Sequence, residues 1–162
     1  MKSRTLLLGL GNPILRDDGV GIAIALAIRE RLAPEDAVDV VDASVGGLGL
    51  LDLVTGYDRL IVIDSIRTGQ GRPGDLYRLE LSDLERTIHS SSAHDTNFAT
   101  ALEFGRQCNI PVPEEIAIYA VEIRENTSFG EKLTPEVERA IPGIISTVMS
   151  EQRLPKGASC KA

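Results

Sequence analysis

The chain has 162 residues, of which 43% are hydrophobic and 25% charged, the length and balance of one globular domain able to bury a core without disulfides or a structural metal. Asp and Glu total 24 against 17 Lys and Arg, a formal charge of -7, which repels phosphate backbones and anionic lipid and argues against nucleic-acid or membrane partners. The two cysteines, Cys108 and Cys160, lie far apart and suggest neither a disulfide framework nor a CxxC site, so a reducing cytoplasm is the expected location.

The N-terminal MKSRTLLLGLGNP has two basic residues and a short apolar run, too short for a signal-peptide core and ended by Asn12, Pro13 and Arg16. No run approaches the roughly 18 apolar residues that a membrane span needs. Thr5 to Leu10 reads as a buried parallel strand, and from Gly19 the period changes to a helix reaching Leu32, with Asp17 or Asp18 placed to cap it. AVDVVDA at 37–43 is a second strand, LLDLVTGY a short helix, and RLIVIDSI at 59–66 a third, fully buried strand. DLYRLELS at 75–82 alternates apolar and polar residues, as an edge or antiparallel strand does. A helix over 97–109 carries Phe98, Leu102 and Phe104, and EEIAIYAVEI at 114–123 is another buried strand. The last helix opens with Thr134 as cap and Pro135 at its first position and runs to about Gln152, kinked or interrupted at Pro142 and Gly143. Alternating strands and helices predict an α/β fold, a mostly parallel sheet covered on both faces. One domain over 1–153 and a flexible tail over 154–162 are expected, with a monomer as the default state for a chain of this size.

In open α/β sheets ligands bind beyond the carboxyl ends of the strands. The first strand leads to Asn12, Asp17 and Asp18, the second ends at Asp42, and the third reaches Asp64; the polar loop SSSAHDTNF adds His94 and Asp95. Carboxylates together with one imidazole suit a divalent transition metal. Each residue also has a blander reading: a helix cap for Asp17 or Asp18, a loop tie for Asp42 and Asp64, a surface group for His94 and equally for His89. Gly9 and Gly11 suit a tight turn and close helix approach, and as a dinucleotide fingerprint GLGNPI fails, because Ile14 stands where the third glycine belongs.

The run GLGNPILRDDGVG, followed by an Asp in the third strand and an isolated His in a later polar loop, resembles the [NiFe]-hydrogenase maturation endopeptidases. That family opens with a GxGN turn, four spacer residues, an Asp, a second acidic residue and a glycine soon after; the matching positions are Gly9, Gly11, Asn12, Asp17, Asp18 and Gly21. The resemblance implies a three-layer α/β/α sandwich, phosphorylase/hydrolase-like in type, with Asp18, Asp64 and His94 as the metal-contacting residues. It further implies that the substrate is the nickel-loaded precursor of the hydrogenase large subunit, from which a C-terminal extension is removed. In this reading nickel arrives with the substrate, no tightly bound organic cofactor is expected, and Gly9, Gly11, Asn12, Asp17 and Gly47 shape the loops that face it. The first-loop ligand is often Glu in relatives and is Asp18 here; after Asp42 some relatives carry Gly-Gly-Thr, whereas this chain has Ala43, Ser44 and Val45 before Gly46 and Gly47.

No serine has a GxSxG setting and neither cysteine stands at a strand end, so direct attack by water, activated by the metal or by Asp18 or Asp42, is the expected chemistry. GLGNP also resembles the N-terminus of peptidyl-tRNA hydrolase, but residues 14–21 read ILRDDGVG with no histidine. A non-catalytic nickel-dependent docking module or chaperone on the same fold is the alternative of another class.

Overall fold

The computed structural model describes residues 3–44, 49–86, 95–124 and 127–155. The elements follow in the order β1 (Thr5–Leu10), α1 (Val20–Arg29), β2 (Val38–Ala43), α2 (Gly49–Val54), β3 (Arg59–Ile66), β4 (Leu76–Leu79), α3 (Leu81–Arg86), α4 (Asp95–Gln107), β5 (Glu115–Glu122) and α5 (Pro135–Glu151), with one 3-10 turn over Arg16–Gly19 before α1.

The strands form one sheet in the order β2-β1-β3-β5-β4. β1, β2, β3 and β5 pair in parallel, and β4 pairs antiparallel with β5 at the sheet edge, as the alternation in its sequence predicts. β1 is buried throughout and β3 at every residue after Arg59, which is why both read as unbroken apolar runs: each face of a central parallel strand meets a helical layer. One layer packs Val20, Ile24 and Ile28 of α1 with Val137, Ile145 and Val148 of α5 against Leu7, Ile61 and Ile63. The other packs Leu50 and Val54 of α2 with Phe98 and Leu102 of α4 against Leu6, Leu8 and Val62. At about 1.5–3 kcal/mol for each buried aliphatic side chain, these two layers are the main stabilising term, and the architecture is the three-layer α/β/α sandwich.

Several expectations need correction. α1 is not capped by Asp17 or Asp18: Gly19 occupies its N-cap and no side chain bonds there, because both carboxylates are turned to partners elsewhere in the fold. α5 runs unbroken through Pro142; Pro142 and Gly143 are exposed, so the ring and the backbone carbonyl that loses its donor face water. Thr134 is the N-cap of α5 and Pro135 follows it, but its hydroxyl makes no cap bond and is used by Asp17 instead. Phe104 lies six positions beyond Phe98, on the far side of α4, and is 45% exposed. Leu154, placed by the sequence at the start of the tail, is buried in the α1–α5 layer, so the packed chain reaches at least that far. No helix of the described residues is long and apolar enough to cross a membrane.

Candidate active site

The loop after β1 owes its path to two glycines. Gly11 has φ +140°, and a Cβ there would stand 2.0 Å from the Asp18 carbonyl oxygen, so the chain can double back on itself only without a side chain. A Cβ on Gly21 would lie 2.3 Å from the Ile63 carbonyl oxygen and 2.5 Å from that of Leu10; α1 therefore rests directly on the ends of β1 and β3. Gly9 belongs to the same contact rather than to the loop: it lies within β1, and its Cβ would meet the Ala25 Cβ at 2.7 Å.

This close seating carries Asp18 to the end of β3. The Ser65 hydroxyl donates to Asp18 Oδ1 at 2.9 Å, and the Asn12 backbone N–H donates to Asp18 Oδ2 at 2.9 Å. The Ser65 backbone N–H in turn donates to Asp64 Oδ1 at 2.8 Å. Asp18, Ser65 and Asp64 are all buried. Two carboxylates, one from the loop after β1 and one from the end of β3, are thus linked through one serine at the carboxyl end of the sheet, and each Asp18 oxygen holds a donor that fixes its direction. Side-chain alternation explains the division. Ser65 shares a face with Ile61 and Ile63, toward α1 and the loop bearing Asp18; Asp64 shares a face with Leu60 and Val62, toward α4.

Asp17 points elsewhere. Its Oδ1 accepts from the Thr134 N–H at 2.7 Å and its Oδ2 from the Thr134 hydroxyl at 2.8 Å. A buried carboxylate at the start of α5 also meets the positive end of that helix. Two backbone bonds join the same pair of loops: the Arg16 N–H donates to the Gly130 carbonyl at 2.8 Å, and the Gly130 N–H to the Ile14 carbonyl at 2.9 Å.

Asp42 is not drawn into this cluster. It is exposed on β2, an edge strand, beside Gly9, which itself lies beside Ile63. Two strand spacings, roughly 10 Å, separate it laterally from the end of β3, and it shares the face of Val38 and Val40 rather than that of Asp64. His94 and Gly47 lie outside the described residues, as does His89. Among the described residues no three His, Cys, Asp or Glu side chains gather closely enough to hold a metal ion; the sequence set of Asp18, Asp64 and His94 is represented here by its two carboxylates. α4 begins at Asp95, the residue after His94, and belongs to the layer toward which Asp64 points.

Three groups escaped the sequence reading. Ser65 is one, and the second is Thr134 in its role as partner of Asp17 rather than as helix cap. The third is Glu122, buried at the end of β5, where it accepts from the Thr68 hydroxyl at 2.7 Å and from the Thr68 and Gly69 N–H groups at 3.0 and 3.2 Å. It anchors the loop after β3 beside a cleft of about 500 Å³ that Arg67 and Arg124 also line. The one signal of Glu122 in the sequence is a charged residue closing an apolar strand.

Comparison with known proteins points in one direction. The family described as hydrogenase maturation protease matches residues 22–151. Hydrogenase 2 maturation protease of Escherichia coli (strain K12) is 28% identical over 151 residues, 93% of this chain and 91% of that protein. Hydrogenase expression/formation protein HupD of Rhizobium leguminosarum bv. viciae is 29% identical over 148 residues, 90% of this chain and 72% of the relative. The solved structure of the hydrogenase maturating endopeptidase HybD from E. coli superposes with a TM-score of 0.81 at 27% identity, covering 93% of this chain and 92% of that one. The family match starts just past Gly21, so it is independent of the GLGNPILRDDGVG run that carries the resemblance. From the fold, and from a match spanning most of its length, the chain belongs to the hydrogenase maturation protease family.

Proposed function

We propose that this endopeptidase removes the C-terminal extension of the nickel-loaded large-subunit precursor of a [NiFe]-hydrogenase, acting in the cytoplasm as a monomer. The observation that carries the reading is the buried Asp18–Ser65–Asp64 chain at the carboxyl end of the sheet. Two oriented carboxylates suit a cation presented from outside, and a site with hard oxygen ligands rather than a cage of thiolates suits a metal already held by the substrate's own cysteines. Asp18 and Asp64, completed by His94, would contact that nickel, which is cargo of the substrate and marks a precursor ready for cutting.

For the bond cleavage, water is the reading we favour. Cys108 is exposed at the end of α4, which leads toward the opening residues of β5 and hence to the end of the sheet opposite Asp18 and Asp64. Ser65 is buried with its hydroxyl given to Asp18. Asp18 would orient and deprotonate the attacking water at the substrate carbonyl, and the proton would pass to the leaving amine. Asp42, exposed at the end of β2, would meet the substrate directly. Family membership favours cleavage over the docking-module reading.

The test is intact-mass measurement of a large-subunit precursor incubated with the protein, with and without nickel loaded. Loss of a short C-terminal peptide from the nickel-loaded sample alone is expected. Cleavage of the nickel-free precursor at the same rate would overturn nickel gating, and an acyl-enzyme trapped on any side chain would overturn attack by water.

A further inference from the structure

We infer that Ile14 and Phe129 form an apolar clamp for the substrate polypeptide, taking an apolar side chain next to the bond that is cut; this rests on the proposed function. Among the described residues the large exposed apolar side chains are Ile14 at 50%, Phe104 at 45% and Phe129 at 79%. Phe104 stands alone in the last turn of α4. The other two come from distant parts of the chain and are brought side by side by the backbone: a parallel bridge pairs Leu15 with Gly130, so the register sets Ile14 beside Phe129.

The pair is held out in water by a fixed frame. The Ile14 N–H donates to Asn12 Oδ1 at 3.2 Å, the Leu15 N–H to the Asn12 carbonyl at 3.1 Å, and Asp17 ties the loop to Thr134. An apolar pair on such a frame cannot turn inward, so its unfavourable hydration persists until something covers it. Asn12 is also the residue whose N–H holds Asp18 Oδ2. A polypeptide laid across Asp18 is therefore placed to pass Ile14, two residues along from Asn12, and its Phe129 neighbour.

The position also selects the occupant. A membrane is disfavoured by the charge of -7, and a second copy seated here would close off the carboxylates that the substrate has to reach. An extended peptide presents alternate side chains to either side, so one can enter between Ile14 and Phe129 while the backbone lies over Asp18.

The experiment compares Phe129→Ser, Ile14→Ser and the double variant with the unaltered protein. It measures KM and kcat on nickel-loaded precursor, affinity for the same precursor by titration, and the melting temperature and sedimentation of each protein. Each single change should weaken precursor binding and raise KM about 3- to 10-fold, with a much smaller change in kcat and an unchanged melting temperature, and Phe129→Leu should restore most of the loss. Placing Asp at the precursor position next to the cut should weaken binding to the unaltered protein far more than to the double variant. Unchanged affinity in the double variant would overturn the clamp, as would a fall in melting temperature that accounts for the loss, or a dimer that the substitutions dissociate. Should the unaltered protein bind the precursor without cutting it, the proposed function fails, while the affinity ratios still decide the clamp.

Discussion

The Ser65 hydroxyl reaches from the end of β3 to Asp18 on the loop after β1 and joins two carboxylates 46 positions apart in the chain, Asp18 and Asp64, into one unit. Ser65→Ala removes the donor to Asp18 Oδ1 and lets that carboxylate rotate. The expected stability loss is about 1–2 kcal/mol, with a fall in kcat/KM on nickel-loaded precursor on the order of 10-fold to 100-fold. Denaturant titration and cleavage kinetics measure the two; equal kcat/KM would show that the serine does not position Asp18.

Asp18→Asn preserves shape and removes charge. One of its two donors, from Asn12 and Ser65, must then face an amide NH2, and the site loses half of its paired carboxylates. Cleavage should fall on the order of 10²- to 10³-fold, while the melting temperature moves by only a few degrees. Retention of full activity would remove Asp18 from the chemistry.

Asp17, next in sequence, should behave in the opposite way. Asp17→Ala leaves the Thr134 N–H and hydroxyl without their acceptor, for a loss of about 2–3 kcal/mol. The urea midpoint should drop well below that of Asp18→Asn. If the two variants lost stability equally, the separation of roles between the adjacent carboxylates would be wrong.

Gly21→Ala drives a methyl group into the carbonyl oxygens of Leu10 and Ile63. Helix and sheet must part, at about 2–4 kcal/mol, and soluble yield should fall with stability. A normal melting temperature would mean that α1 can shift without cost.

Tyr119 supplies a pH dependence outside the Asp18–Ser65–Asp64 chain. Burial, and then the bond from its hydroxyl to Glu151, raise its pKa above the ordinary value of 10.0. A raised folded-state value means that the folded chain keeps the proton where the unfolded chain loses it. This contribution is therefore complete below pH 10.0 and is lost as the pH rises from there through the higher folded-state value. Tyr119→Phe should flatten that alkaline limb in denaturant titrations across pH, and an unchanged limb would assign it to other groups.

The elements that the sequence makes legible are those whose signal is local. β3 is an uninterrupted apolar run, α5 opens with Thr134 and Pro135, and β4 alternates as an edge strand does. α3 was not legible, because LSDLER is too short to show a period. Of the site, the acidic strand ends are readable from position alone, since the fold class dictates where strand termini gather. What Asp17, Asp18 and Glu122 do with their oxygens is not readable: their partners Thr134, Ser65 and Thr68 lie 117, 47 and 54 positions away. A capping rule sees only the helix next door, and so offers Asp17 or Asp18 to α1. For Asp42 the strand end is as expected, but the sequence does not show that its strand lies at the sheet edge, apart from the Asp18–Ser65–Asp64 chain.

The bridge between Leu15 and Gly130 imposes an order of assembly. The loop that carries Asp18 is synthesised well ahead of Gly130 and Thr134, which pin it through backbone bonds and through Asp17, Thr134 following Asp17 by 117 positions. A nascent chain still missing them lacks the partner of Asp17 and the backbone bridge, and has only the bonds from Asn12 and Ser65 to hold Asp18. A product truncated ahead of Gly130 should therefore cleave precursor more slowly than the full chain, rather than act as an unregulated protease.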